Sequence, residues 1–99
     1  MFDAKYYLYI LSTSQNAMIY IGVTNDMARR LAEHRSGEQD GFTKQFRIYK
    51  LVYYESFVDV RNAIDREKQL KRWTRIKKNA LIERMNPTWD DLSNRFWDV

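Results

Sequence analysis

The residue most suggestive of chemistry is Glu67. Val60, Ala63, Ile64, Leu70 and Lys71 recur around it at helical spacing, so a carboxylate falls on the inward seam of a helix. An unpartnered buried carboxylate is costly, and its charge must be met by a cation. Lys71, four residues on in the favoured orientation, can supply a structural ion pair. A divalent metal is the alternative that would make Glu67 functional. A second cluster lies earlier in the chain. Arg30 and His34 are four apart and project from one helix face, beside strand-like runs that carry Tyr9 and Tyr20. His34 is the chain's single histidine. Taken singly, each has a structural explanation: tyrosine packs in strands, a helical arginine is usually solvated, and a lone histidine more often bonds structurally than catalyses.

The elements that must position these groups can be read from local pattern. Lys5 to Ser12 and Met18 to Thr24 are aromatic and β-branched runs joined by a polar connection, which predicts a hairpin. Both runs are apolar on both faces, as in a strand covered on two sides. Thr24 or Asn25 can cap a helix beginning at Asp26, and Gly37 ends it, with Met27, Ala28, Leu31 and His34 as its inward stripe. Residues 36–47 form a surface loop carrying Lys44 and Arg47, and Ile48 to Phe57 a third strand. A helical stretch starts after Asp59, bends near Trp73-Thr74 and runs to Met85, where Asn86-Pro87 stops it. Thr88 to Asp91 can cap a short final helix over about 88–96 that buries Trp89, Leu92 and Phe96. The expected class is a small α/β (α+β) domain.

Length and composition bound the partners. A chain of 99 residues has room for one domain, 1–99 with a core over about 5–82, and 44% hydrophobic residues suffice for a packed interior. There are no cysteines, which excludes a disulfide frame and a thiolate metal site and fits a reducing cytoplasm. No leader-like segment opens the chain, and no apolar run reaches the roughly 20 residues of a membrane helix, so a cytoplasmic, non-membrane protein is expected. The formal charge of +4 is unevenly spread: Arg61 to Arg84 holds nine Lys/Arg against three acids, a net of +6. Such a stripe suits a polyanion, the alternative being a solvated helix face.

Together the residues match a pattern. Tyr7-Leu8-Tyr9, ten intervening residues ending in Ile19, Tyr20-Ile21-Gly22, then Arg30, His34 and Glu67 resemble the GIY-YIG endonuclease superfamily. Its first motif is altered here, with Tyr7 for glycine and Leu8 for isoleucine, while the second is intact through Gly22. The run from Asn25 to His34 is similar to the family's first-helix signature, and Ala63 to Glu67 to its metal-glutamate helix. Asn79 falls where several members carry a functional asparagine, and Val23 stands where some repair nucleases have lysine. The resemblance covers about residues 5–82, and Glu67 to Trp73 with Lys77-Lys78 is most similar to small stand-alone bacterial members.

The resemblance implies a central mixed or antiparallel sheet of about three strands flanked by helices, and metal-dependent hydrolysis of DNA phosphodiesters, structured or damaged DNA included. Glu67 would hold one Mg²⁺ or Mn²⁺, hard ions suited to a carboxylate, waters and phosphate oxygens. Arg30 would bind phosphate, Tyr9 or Tyr20 would position or deprotonate water, and His34 would take the proton. Lys44, Lys68, Lys71, Arg72, Arg75, Lys77 and Lys78 are expected to contact the nucleic-acid backbone, with Asn79 in support. A non-catalytic nucleic-acid module and a protein-interaction domain are the competing functions.

Overall fold

The structure is a computed structural model, described over residues 5–37 and 45–97. Lys44 lies outside the described residues. Two apolar runs form β1 (Tyr6–Ser12) and β2 (Ile19–Thr24), and a third forms β3 (Lys50–Phe57). β1 is central in the order β2-β1-β3, and both pairings are antiparallel. The sheet is therefore antiparallel, three-stranded and covered on both faces, as the two-sided apolarity of β1 requires. One face buries Leu8, Ile10 and Ile21 against Leu70, Ile82 and Trp89. The other buries Tyr9 and Leu11 against Met27, Leu31 and Leu92.

The helices begin and end on local signals. In α1 (Met27–Ser36) the Asp26 carboxylate accepts from the Arg29 N–H at 3.1 Å, so Asp26 is the cap itself and not the first helical residue. Thr24 Oγ1 in turn accepts from the Asp26 N–H at 3.0 Å. Gly37 closes α1 with φ +79°, a left-handed conformation that glycine adopts without a Cβ penalty. The helical stretch after Asp59 is two helices, α2 (Val60–Lys71) and α3 (Arg75–Met85), with Thr74 capping the second through the Lys77 N–H at 3.2 Å. The expected bend at Trp73-Thr74 is this break.

Two local expectations are corrected. Within α2 the buried positions are Ala63 and Leu70, while Ile64 and Lys71 face outward, so the seam is one side chain wide and Ile64 is not in it. The helix expected over 88–96 is a single 3-10 turn, Ser93–Arg95. Tertiary hydrogen bonds claim its backbone instead. β1 and β3 slip register between Ile10 and Leu11, a bulge that leaves Val52 without a partner on β1. The Leu92 N–H donates to Leu51 O at 2.7 Å, and the Asp91 carboxylate accepts from the Leu51 N–H at 3.3 Å. The Asn86 side-chain amide donates to Val52 O at 3.0 Å and to Asp90 O at 2.8 Å, fixing the tail to β3. The tail still buries Trp89 and Leu92 as expected, and half-buries Phe96.

Candidate active site

Tyr9 sits in the middle of β1, opposite Gly22 on β2. Its ring crosses the space where a side chain at Gly22 would stand: a Cβ there would lie 2.6 Å from the Tyr9 hydroxyl oxygen. Glycine in the second motif is thus required by close approach. Alternation puts Tyr20, paired with Leu11, on the same sheet face as Tyr9. α1 packs on that face through Met27, Leu31 and His34 at i, i+4 and i+7, which carries the imidazole to the two phenols. The Tyr9 hydroxyl and His34 Nε2 are 3.3 Å apart, and the Tyr20 and His34 rings have centroids 5.7 Å apart.

The electrostatics of the cluster follow from its burial. Tyr9 is 2% exposed, and burial raises its phenol well above the ordinary value. Tyr20 adds to that rise, the Arg30 cation opposes it, and the charges of Glu67 and Glu33 reinforce it. His34 is lowered by burial first and by Arg30 next, with Glu33 opposing. A protonated phenol and a neutral imidazole fix the hydrogen bond: Tyr9 O–H donates and His34 Nε2 accepts, leaving the imidazole proton on Nδ1. That Nδ1 is buried without a hydrogen-bond partner, and so is Arg30 Nε. A buried donor left unpaired costs about 1–3 kcal/mol, so two of them beside two tyrosines mark a place built to receive acceptor atoms.

Glu67 stands on α2, which packs through Leu70 on the sheet face opposite to Tyr9 and Tyr20. Its charge acts on the Tyr9 phenol, but no hydrogen bond or ion pair joins it to Tyr9, Arg30 or His34 among the described residues. Its carboxylate pairs with Lys71 Nζ at 3.4 Å, and Lys71 lines a cavity of about 220 Å³ with Ile19, Tyr20, Ile21 and Lys78. Tyr20 thus shares a cavity with Lys71, the ion-pair partner of Glu67, while Tyr9 and Glu67 themselves are not in its lining. A larger cavity, of about 550 Å³, borders His34 together with Arg35, Arg47 and Tyr49 but has neither tyrosine of the cluster nor Glu67 in its lining.

The basic residues divide by what they already hold. Lys68, Arg72 and Lys78 have no carboxylate partner among the described residues. Lys77 lies with its Nζ 5.1 Å from the Trp73 ring centroid. Arg75 is committed: its guanidinium donates to Ala17 O at 2.9 Å and Asn16 O at 2.7 Å, in the β1–β2 turn, and to Asn79 Oδ1 at 2.7 Å. Asn79 accordingly accepts from Arg75, with no bond to Glu67. Sequence reasoning missed Glu33, whose charge acts on both Tyr9 and His34; the signal was its place three residues after Arg30 and one before His34.

A single carboxylate with polar neighbours suits one hard divalent cation that completes its shell with waters and phosphate oxygens. No group of three or more His, Cys, Asp or Glu is assembled among the described residues. No helix among the described residues is long and apolar enough to cross a membrane.

Comparison with known proteins agrees with this architecture. The family model described as the GIY-YIG catalytic domain matches residues 5–79. A UPF0213 protein of Bacillus pumilus is 39% identical over 81 residues, covering 82% of each chain. A UPF0213 protein of Haloquadratum walsbyi is 37% identical over 78 residues, covering 79% of this chain and 86% of its own. The solution NMR structure of a UPF0213 protein from Bacillus halodurans superposes with a TM-score of 0.56 at 28% identity, covering 87% of this chain and 90% of that one. A three-stranded sheet that brings Tyr9, Gly22, Tyr20 and His34 together, matched over three quarters of its length, places this chain in the GIY-YIG catalytic-domain family, alongside the small UPF0213 proteins.

Proposed function

We propose that this protein is a metal-dependent endonuclease that hydrolyses DNA phosphodiesters at the cluster of Tyr9, Tyr20, Arg30, His34 and Glu67. Family membership points to nuclease activity in general. The observation that carries the specific proposal is the pair of buried, unpartnered donors, Arg30 Nε and His34 Nδ1, beside two tyrosines and within the field of Glu67.

A phosphodiester needs an aligned nucleophile, neutralisation of charge at phosphorus and help for the leaving oxygen. Arg30 binds a non-bridging phosphate oxygen through its free Nε and stabilises the charge that grows there. Tyr20 is half-exposed in the cleft, whereas Tyr9 is buried and held protonated, so Tyr20 is the phenol that meets the attacking water. Tyr9 holds His34 in place and passes its own hydroxyl proton to the imidazole Nε2 as it takes up the proton released when the water oxygen bonds to phosphorus and the leaving oxygen departs. Glu67 would hold one Mg²⁺ or Mn²⁺, which when bound supplies Lewis-acid stabilisation of the phosphate and its leaving oxygen. Lys71 and Lys78 line the cleft and Lys68 and Arg72 extend the basic surface, giving contacts that do not depend on sequence.

The test is a cleavage assay on duplex, branched, abasic and single-stranded DNA with Mg²⁺ or Mn²⁺. Metal-dependent cutting that disappears in Glu67→Gln and Arg30→Ala is expected. A wild type that binds DNA and never cuts any of them would leave a non-catalytic binding module.

A further inference from the structure

Trp73 has no part in the site above, yet its surroundings are organised. It lies at the α2–α3 break, half-buried against the core. On α3, Lys77, Ala80, Leu81 and Arg84 recur at i, i+3, i+4 and i+7, a single stripe, and with Trp73 they line a groove of about 180 Å³. It continues into a cavity of about 410 Å³ through the shared Leu81 and Arg84, where Arg66 and Met85 join the lining. Among the described residues no carboxylate lines either cavity. Trp73 thus offers a broad aromatic surface on a floor of Ala80 and Leu81, with cations around the rim.

Those cations are of two kinds. Arg66 is fixed: Glu55 accepts from its Nε at 3.0 Å and from its Nη2 at 2.9 Å, and Gln69 Oε1 accepts from its Nη1 at 2.7 Å. So held, its guanidinium stands 5.4 Å from the Trp73 ring centroid and stiffens that side of the indole. Lys77 and Arg84 are exposed and have no carboxylate partner among the described residues. Lys77 can yield the ring surface to a flat ligand and pair with an adjoining anion.

We propose that this groove is a stacking subsite for one unpaired nucleobase, its flanking phosphates held by Lys77 and Arg84. The inference rests on the nucleic-acid reading above and adds a ligand element to it. A flat apolar slot with exposed cations at its rim complements a base between two phosphates, a combination that an acidic side chain does not offer. Lys78 lines the cavity that holds Tyr20, and Lys77, its neighbour in sequence, lines the groove on another face of α3.

The probe is a fluorescein-labelled oligodeoxythymidylate compared with an abasic strand of equal length, titrated at low salt in EDTA so that neither is cut. Wild type is expected to bind the base-bearing strand tighter by roughly tenfold or more. Trp73→Leu should erase that difference while leaving abasic-strand affinity and the salt slope unchanged, and Trp73→Phe should keep most of the preference. Arg84→Gln should weaken both strands and lower the slope by about one. Thermal melts establish that each variant is folded. Equal wild-type affinity for both strands overturns the subsite, as does a Trp73→Phe as defective as Trp73→Leu. Polyglutamate displacing the oligonucleotide as effectively as unlabelled oligodeoxythymidylate would make the groove a protein-docking surface instead. A wild type that prefers bases yet never cuts DNA with Mg²⁺ or Mn²⁺ loses the nuclease function and keeps the subsite; one that cuts without base preference does the reverse.

Discussion

Tyr9 and Gly22 face each other across β1 and β2, and the tyrosine hydroxyl lies where a Cβ at Gly22 would be, 2.6 Å away. The same hydroxyl meets His34 Nε2 at 3.3 Å, so the absence of one methyl group on β2 sets the position of a phenol and, through it, an imidazole. Tyr9 is 2% exposed and has no free space into which to retreat.

Gly22→Ala is therefore expected to push Tyr9 off His34. Overpacking of this kind costs typically about 1–3 kcal/mol, and a denaturant melt should show a loss in that range. Metal-dependent cleavage should fall further than stability does, because the imidazole loses its partner as well. A Gly22→Ala protein with wild-type stability and activity would show that the ring moves aside freely and that the contact positions nothing.

Glu67 distinguishes a structural anion from a ligand. Its side chain is 22% exposed and that of Lys71 is 55% exposed, so the pair is an i, i+4 helix pair in contact with water. Such pairs contribute about 0.3–0.5 kcal/mol. Glu67→Ala should consequently change the melting free energy by less than about 1 kcal/mol while removing metal-stimulated cleavage and any stabilisation of the protein by Mn²⁺. A mutant that melts far below wild type, in a protein whose wild type is indifferent to metal, would return Glu67 to a purely structural role.

What could be read in advance was whatever short-range chemistry decides. The strands announced themselves as β-branched and aromatic runs, and Gly37 and Thr74 punctuate helices by local hydrogen bonding and backbone freedom. The convergence of Tyr9, Tyr20 and His34 followed from strand and helix periods once the hairpin was recognised. Ile64 was misplaced because a helical period does not say how wide the buried seam is, and α2 buries Ala63 and Leu70, nearly in line, but not Ile64, about 100° round the helix from Ala63. The tail was misread for another reason: Asp91 and Asn86 look like helix-capping residues, but their side chains answer Leu51 and Val52, some forty and thirty-four positions away. Arg75 could not be told from Lys77 in a basic run, since its partners are carbonyls of a distant turn.

That distinction within the basic stripe is measurable. Arg75 ties α3 to the β1–β2 turn, where Lys50 Nζ also donates to Asn16 Oδ1 at 2.6 Å. Arg75→Ala removes charge-assisted bonds to two carbonyls and should cost about 1.5–3 kcal/mol of stability. Lys78→Ala should leave stability within about 0.5 kcal/mol of wild type and flatten the log-affinity against log-salt line by about one. Salt titrations of DNA binding on the two variants, paired with their melts, check both. If Arg75→Ala proves as stable as wild type and lowers the salt slope like Lys78→Ala, its turn contacts carry little and its guanidinium serves the polyanion instead.

His34 gives the pH dependence its sign. Burial and the Arg30 cation hold its folded-state pKa below the ordinary value of 6.5, which the unfolded chain retains. Above that value the imidazole is neutral in both states and the full stability of the fold is present. As pH falls below 6.5 the unfolded chain binds its proton first, so stability declines until the folded imidazole titrates too. Thermal melts through this window should show wild type losing stability with acidification, over and above what carboxylates lose at lower pH. His34→Gln, which keeps a polar group near Tyr9 but does not titrate, should remove that component and flatten the profile between neutral pH and about 5. Cleavage should decline only at the acid end of that interval, where the folded imidazole titrates, because a protonated His34 can neither accept from Tyr9 nor take up the water's proton. Stability profiles that coincide for wild type and His34→Gln would mean that the imidazole has the same proton affinity folded and unfolded, and cleavage by His34→Gln at the wild-type rate would remove it from the proposed proton transfer.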